Sequence, residues 1–129
     1  MSSEQRPSPS NTRAQGALAE DSALRHLLGA GLTLVQRNYR TPHRGGGEID
    51  LIMLAADGTL VFVEVRHRQD DRHGGAGASV GRVKQRRITY AARWYLQRYA
   101  SPPPCRFDVM LRQDQSWQWI PGAFEASAW

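Results

Sequence analysis

Two apolar segments joined by a short turn constrain the fold of this chain more than any other feature of its sequence. The segments are EIDLIML at residues 48–54 and TLVFVEVR at residues 59–66, and the AADG between them is typical of a hairpin turn. The second segment is apolar on both faces, where Val61, Val63 and Val65 alternate with Leu60 and Phe62. Because a strand of this kind is buried on both sides, we expect it in the middle of a sheet that is covered by helices.

The flanking segments predict those helices and the remaining strands. Apolar residues recur at helical spacing from Arg13 to about Ala30, and a β-prone segment follows at residues 32–39. A second helical pattern begins at a candidate N-cap, Ser79, and ends near Tyr99, before three prolines. CRFDVML and WQWI then alternate as strands do. The predicted order is α-β-β-β-α-β-β, an α/β fold with a mixed central sheet flanked by helices.

The chain has 129 residues, which is the size of one domain. Residues 1–12 are rich in Ser, Pro and Asn and have no periodicity, so we predict a flexible tail there and a single domain over residues 13–129. With Cys105 as the one cysteine, the sequence excludes an internal disulfide and a thiolate zinc cluster. No segment approaches the roughly 20 apolar residues of a membrane span or has the apolar core of a signal peptide, so we expect a cytoplasmic protein without membrane contact.

The charge of the chain is positive, with 17 Lys and Arg against 12 Asp and Glu and a formal net charge of +5. Of the 17 basic residues, 16 are arginine, and Lys84 is the only lysine. The positive excess favours an anionic partner, of which nucleic acid is the simplest.

Two carboxylates, Asp50 and Glu64, interrupt the two most apolar segments. An ionised carboxylate buried without a partner is costly, so something must compensate this pair. A three-residue loop at 56–58, with Gly58 in the left-handed conformation, would place Asp50 directly opposite Glu64. A two-residue turn would place them on opposite faces of the sheet. We favour the three-residue loop because its glycine placement is common and because it brings two charges to one cation.

Arg66 lies two residues beyond Glu64 and therefore on the same face of the strand. Two carboxylates together with waters suit Mg²⁺ or Mn²⁺. Such an ion can activate water and stabilise the charge on a phosphodiester that is being cleaved. The alternative is a buried ionic cluster in which Asp50 and Glu64 simply pair with Arg66 or another arginine.

The two predicted helices add one charged residue each to this set. On a helical wheel, Glu20 falls within the apolar stripe of the first helix and is expected to face the sheet, whereas Asp21 lies at the edge of the stripe, in reach of Arg25. Lys84 falls on the inward face of the second helix. Arginine cannot act as a general base, but a partly buried lysine can have a lowered pKa. Lys84 is therefore the candidate for holding or deprotonating an attacking water.

Several basic and aromatic residues are candidates for contacts with nucleic acid. The segment RNYRTPHR at 37–44 combines arginines with an aromatic residue, which suits a nucleic-acid backbone or a splayed base as well as it suits a polar surface loop. The nucleic-acid-binding candidates are Arg37, Arg40, Arg44 and Arg68.

The outer face of the second helix carries Arg82, Arg86 and Arg93, for which a solvated surface and phosphate contact are the alternatives. Trp117 and Trp119 alternate on the last strand, and we favour core packing or self-association for them over base stacking.

Several strings of this sequence resemble the YraN-like family of uncharacterised bacterial proteins. They are AED on the first helix, GLxxxxRNYR, GGGEIDLIM, LVFVEVR, SVxxxKQRRI and CRFDV, and the resemblance covers Gly16 to Phe124. That family is similar to archaeal-type Holliday junction resolvases and, more broadly, to PD-(D/E)xK nucleases. The resemblance implies a restriction-endonuclease-like core, a homodimer, and Mg²⁺- or Mn²⁺-dependent hydrolysis of phosphodiesters in structured or branched DNA.

The same resemblance implies roles for individual residues. Asp50 matches the Asp of the motif, Glu64 its central acidic residue, Arg66 its lysine, and Glu20 the acidic residue of the first helix, so that Asp50, Glu64 and Glu20 would be metal ligands. Ile49 replaces the proline of the motif, which is a minor departure. Arg66 in place of lysine is a more serious departure, because the lysine of the motif is the usual water-activating group and this chain lacks it there. A catalytically silent nucleic-acid-binding protein and a structural protein with ion-paired carboxylates are therefore the alternatives.

Overall fold

The computed structural model describes residues 9–43, 45–67 and 80–126. Two helices and five strands follow one another as α1 (Pro9–Gly29), β1 (Thr33–Arg40), β2 (Glu48–Leu54), β3 (Leu60–His67), α2 (Arg82–Leu96), β4 (Cys105–Gln113) and β5 (Ser116–Phe124). The five strands form one sheet in the order β1-β2-β3-β4-β5. The predicted α/β class and the order α-β-β-β-α-β-β are confirmed.

The sheet is mixed because one connection carries a helix. The first three strands and the last two are antiparallel neighbours. The connection from β3 to β4 contains α2, and these two strands are parallel.

The two helices cover opposite faces of the sheet. Ile88, Ala92 and Tyr95 of α2 pack with Phe62 of β3 in one core. In the other core, Ala23 and Leu27 of α1 pack with Val61, Val63 and Met110. The strand β3 thus contributes to both cores, as its apolar sequence on both faces predicts.

The hairpin between β2 and β3 has the predicted register. Leu54 lies opposite Leu60 and Leu51 opposite Val63. The carbonyl oxygen of Ala55 accepts the N–H of Gly58 at 3.0 Å, and Gly58 has a φ of 92°, a conformation that favours glycine. The three-residue loop is confirmed, and its register brings Asp50 level with Glu64 on the neighbouring strand.

A backbone kink in β1 lies beside Asp50 and was not predicted. Asn38 has a φ of 52°, and it separates Arg37, which contacts α1, from Tyr39, whose ring meets Tyr95 of α2 at 5.3 Å. In a regular strand, residues 37 and 39 would share a face. Tyr39 lies opposite Ile49 and Arg37 opposite Leu51, so the kink faces Asp50 on β2. Residues 37–40, which we assigned in part to a basic loop, belong to this strand.

Both helices have boundaries that differ from the predictions. α1 begins at Pro9 and not at Arg13, which is consistent with the tolerance of the first helical turn for proline, so residues 9–12 are helical and not part of a tail. Residues 1–8 lie outside the described range. α2 has the extended Gly81 as its N-cap, and Ser79 lies outside the described residues. α2 ends at Leu96, because the N–H of Tyr99 turns back to the Leu96 carbonyl in a tighter bend.

The two tryptophans of β5 pack against the α1 side of the sheet. The indole N–H of Trp117 donates to the hydroxyl of Ser22 at 2.9 Å, and that of Trp119 donates to the carboxylate of Asp108 at 2.9 Å. Both rings border the core beneath α1, so the prediction of core packing is confirmed. In the described part of the chain, neither helix is long and apolar enough to cross a membrane.

Candidate metal and catalytic site

Asp50 and Glu64, which we call the acid pair, meet where the pairing of β2 with β3 ends. Beyond Leu51 and Val63 the backbone pairing gives way to a side-chain contact, because the carboxylate of Asp50 accepts the N–H of Val65 at 2.8 Å. Glu64 is only 4% exposed. Its Oε1 is buried and receives no hydrogen bond. A buried acceptor without a donor is costly, so this oxygen needs a proton or a cation.

Two cations contact the other oxygen of Glu64. Lys84 Nζ of α2 and Arg66 Nη1 of β3 each lie 3.6 Å from Glu64 Oε2. Their side chains are 34% and 38% exposed, so both reach the carboxylate from the solvent side. The structure therefore brings Lys84, which the helical wheel placed on the inward face of the second helix, to Glu64 together with Arg66.

Burial and mutual repulsion favour a shared charge in the acid pair. Burial, followed by repulsion from Glu64, raises the pKa of Asp50 from its ordinary 3.8 to about 7. The hydrogen bond from the Val65 N–H and the charge of Lys84 oppose this rise. Burial also raises the pKa of Glu64, while Lys84, Asp50 and Arg66 oppose this rise. At neutral pH the pair can therefore hold a proton or a cation between two oxygen donors.

Glu20 of α1 approaches the acid pair but is held by an arginine. Burial, and then repulsion from Asp50, raises the pKa of Glu20, so the two carboxylates sense each other's charge. Arg37 Nη2 lies 3.4 Å from Glu20 Oε1, and Arg37 Nη1 lies 2.7 Å from Asp21 Oδ1. The pairing of Asp21 with Arg25 that the wheel allowed gives way to this contact, because β1 brings Arg37 under α1.

The donors of the acid pair fit a hard divalent cation, although a complete ligand cage is not built. Mg²⁺ is usually bound by one or two carboxylates and keeps several waters. Asp50 and Glu64 supply two carboxylates, one of them with a buried oxygen that lacks a donor. Across residues 9–43, 45–67 and 80–126, no three His, Cys, Asp or Glu side chains are grouped closely enough to hold a metal ion. Glu20 as a third ligand stays a prediction.

The structure describes two of the four arginines that we predicted to bind nucleic acid. Arg37 is half-buried in its ion pairs with α1. Arg40 is 74% exposed, at 4.0 Å from Glu48. Arg44 and Arg68 lie outside the described residues.

Asp108 of β4 is a third carboxylate in an apolar strand, and we did not single it out from the sequence. It is fully buried and accepts hydrogen bonds from Arg106 Nε at 3.0 Å, from the Trp119 indole and from the N–H of Gly122 at 3.0 Å. The sequence carries the same signal for Asp108 as for the acid pair, because Asp108 is a carboxylate that interrupts an alternating apolar strand. Its donors all come from the protein, so Asp108 fastens β5 to β4.

Comparison with known proteins places the chain in a family. The model of the family described as "Uncharacterised protein family UPF0102" matches residues 19–111, a stretch that contains Glu20, the acid pair, Arg66 and Lys84. The chain belongs to the uncharacterised protein family UPF0102. The predicted YraN-like membership is confirmed.

Relatives of this UPF0102 chain match it over most of their length. A UPF0102 protein of Paracidovorax citrulli is 64% identical over 115 residues, which cover 89% of this chain and 85% of the relative. Another, of Albidiferax ferrireducens, is 63% identical and covers 89% of this chain and 90% of the relative. A third UPF0102 protein, from Polaromonas naphthalenivorans, is 55% identical over 130 residues, which cover 94% of this chain and 85% of the relative. The names of these relatives state no activity.

Proposed function

We propose that this UPF0102 protein is a divalent-cation-dependent endonuclease that hydrolyses phosphodiesters in structured or branched DNA. The observation that carries the proposal is the acid pair, in which a buried oxygen of Glu64 lacks a donor while the only lysine contacts the other oxygen. A purely structural cluster would satisfy its carboxylate oxygens with donors from the protein, as Arg106, Trp119 and Gly122 do for Asp108. In the acid pair, Lys84 and Arg66 contact Glu64 Oε2, but Glu64 Oε1 is left without a donor.

In this proposal Asp50 and Glu64 would hold Mg²⁺ or Mn²⁺, with Glu20 as an auxiliary ligand once it is released from Arg37. When bound, the ion supplies Lewis acidity for a scissile phosphate. Asp50 and Glu64 would release a shared proton on binding the ion, since burial otherwise favours the protonated form of Asp50.

Lys84 and Arg66 would have different catalytic roles beside Glu64. Both reach the same carboxylate oxygen, but an arginine guanidinium cannot act as a general base. Lys84 would hold or deprotonate the attacking water, and Arg66 would stabilise the negative charge that develops on the phosphate. Lys84 would then supply, from α2, the amine that this chain lacks at position 66, where the motif has its lysine.

The nucleic-acid partner of the proposal follows from charge. The exposed Arg40 would contact the DNA backbone. Arg44 and Arg68, which lie outside the described residues, stay candidates for the same role. A cytoplasmic location and a homodimer that matches the two-fold symmetry of a junction are parts of the same proposal.

Two observations favour a second candidate, a catalytically silent nucleic-acid-binding protein. The motif lysine is replaced by Arg66, and within the described ranges a third carboxylate does not join the acid pair. This candidate keeps the DNA partner but not the hydrolysis.

Cleavage assays on a panel of DNA structures separate the two candidates. Purified protein is incubated with duplex, single-stranded, flap and four-way-junction DNA in Mg²⁺, Mn²⁺ or EDTA. Asp50→Asn is the test variant, and Glu48→Gln, a carboxylate on the same strand outside the acid pair, is the matched control. We expect metal-dependent cleavage by the wild type and by Glu48→Gln that Asp50→Asn lacks. Binding without cleavage would favour the silent candidate, and the absence of both would overturn the two proposals.

A further inference from the structure

The outer face of α2 carries an unusual concentration of positive charge. The helix contains five basic residues and no acidic residue. Lys84 points inward to Glu64, whereas the four arginines are exposed. Four arginines on one short helix repel one another unless an anion lies between them.

These arginines line a groove of about 740 Å³ between α2 and the loop that precedes β2. We call it the arginine groove and define it by Gly45, Gly46, Arg82, Arg86, Arg87 and Arg93. Glu125 is the one acidic residue that lines it among the residues that the structure describes. Within the same ranges no carboxylate forms an ion pair with any of the four arginines.

The loop of Gly45, Gly46 and Gly47, which we call the glycine loop, fixes one wall of the groove against the helix. Arg87 Nε donates to the carbonyl oxygen of Gly46 at 3.2 Å. A Cβ at Gly47 would overlap the carbonyl oxygen of Arg87, so only glycine allows this close approach. Thr41 closes the loop on itself, since its N–H donates to the Gly47 carbonyl at 3.1 Å and its Oγ1 accepts the Gly47 N–H. The wall of the groove is therefore a packed part of the fold.

Aromatic rings lie beside the same arginines. His43 Nε2 shares a hydrogen bond with the Tyr90 hydroxyl at 2.6 Å, and the His43 ring lies 5.3 Å from that of Trp94. Tyr90 lines the groove and is 37% exposed. A cationic groove with exposed aromatic rings is the combination that binds unpaired nucleic-acid strands, because arginines follow the phosphates and rings stack on bases.

We propose that the arginine groove binds a single-stranded segment of nucleic acid, with its phosphates on Arg82, Arg86 and Arg93 and an unpaired base on Tyr90 and His43. The inference rests on the nucleic-acid partner of the proposed function and deepens it, because it names an unpaired strand as the feature of the substrate that is recognised. Hydrolysis is not required, since the groove and the acid pair lie on opposite sides of α2. A duplex hides the faces of its bases, so single strands should bind more tightly here.

Equilibrium binding without metal tests this inference separately from cleavage. Fluorescence anisotropy of a labelled single-stranded oligonucleotide is measured in EDTA over a range of salt concentrations for wild type, Arg86→Ala, Arg93→Ala and Tyr90→Ala. Arg25→Ala, an exposed arginine of α1 on the other side of the sheet, is the matched control. Circular dichroism checks that each variant is folded.

Loss of an arginine should weaken binding about threefold to tenfold and reduce the slope of log Kd against log salt by about 0.7. Tyr90→Ala should weaken single-strand binding about tenfold and change duplex binding much less. Arg25→Ala should bind as the wild type does. Equal binding by the groove variants and the wild type, or an equal loss in Arg25→Ala, would overturn the inference.

The two proposals fail in different ways. If the wild type binds single strands through the groove but cleaves no DNA, hydrolysis is wrong and the groove stands. If it cleaves DNA and the groove variants bind and cleave as the wild type does, the groove inference is wrong and hydrolysis stands.

Discussion

Asp50 and Asp108 are both aspartates in apolar strands, yet their surroundings differ in one respect that matters for function. Asp108 is surrounded by donors from the protein, including the guanidinium of Arg106. Asp50 receives one backbone N–H and faces another carboxylate. The first arrangement satisfies a carboxylate within the fold, whereas the second leaves room for a ligand of positive charge.

The raised pKa of Asp50 predicts a stability difference that depends on pH. The folded pKa of about 7 exceeds the ordinary value of 3.8, so the folded state binds the proton more tightly than the unfolded state. The stability from this group is complete below pH 4 and is lost as the pH rises to about 7. Asp50→Asn has no charge to bury, so in EDTA its free energy of unfolding relative to wild type should rise by about 2–4 kcal/mol between pH 4 and pH 8.

Urea denaturation at both pH values measures this difference. Glu48→Gln is the control and should keep the wild-type dependence on pH. A gap between Asp50→Asn and wild type that is the same at pH 4 and pH 8 would show that Asp50 is ionised at little cost.

The contact of Lys84 with Glu64 predicts how activity responds to a change that keeps the charge. In Lys84→Arg the cation beside the carboxylate is retained, but the new side chain cannot give up a proton. Metal-dependent cleavage should fall about 100-fold or more, while Mn²⁺ binding is retained. Single-turnover cleavage and Mn²⁺ titration measure the two quantities, and full cleavage by Lys84→Arg would remove the proposed role of the lysine.

At the scale of elements, the hairpin shows how far local chemistry predicts structure. The glycine of the turn, Gly58, selects the three-residue loop, and the loop determines which residues of β2 and β3 face each other. The position of Lys84 on the inner face of α2 also follows from periodicity alone. These features are local, so one sequence was enough to predict them.

Features that depend on contacts between distant elements were not predicted. Arg37 is an ion-pair partner of α1 because β1 passes beneath that helix, and no local pattern encodes this neighbour. The kink at Asn38 arises where the strand changes the face it presents. Asp108 could have been found, because the reasoning used for Asp50 applies to it unchanged.

The packing of the glycine loop on α2 predicts a large difference between two glycine substitutions. A Cβ at Gly47 would overlap the backbone of Arg87, whereas a Cβ at Gly81 meets nothing within 4 Å. Gly47→Ala should lower the free energy of unfolding by about 2 kcal/mol, since loop and helix must separate, and Gly81→Ala should change it by less than about 0.5 kcal/mol. Denaturant unfolding of both variants tests this, and equal stability would mean that the loop does not press on the helix.

At the scale of the whole molecule, charge of opposite sign is separated across α2. The acid pair lies on its inner side and the arginine groove on its outer side, so a chain with a net charge of +5 holds two buried carboxylates beneath a basic surface. The sequence predicted the acidic site within a basic protein. It left open whether the outer arginines are solvated or bind phosphate, because that depends on the glycine loop that forms the opposite wall.

Direct titration of a divalent cation tests whether Asp50 and Glu64 form a cation site. Isothermal titration calorimetry with Mn²⁺ compares the wild type with Asp50→Asn, Glu64→Gln and the control Glu48→Gln at pH 7.5. We predict one site in the wild type and in Glu48→Gln, with binding at least about tenfold weaker in the other two. Mn²⁺ binding that is absent from the wild type, or unchanged in Asp50→Asn and Glu64→Gln, would contradict the account.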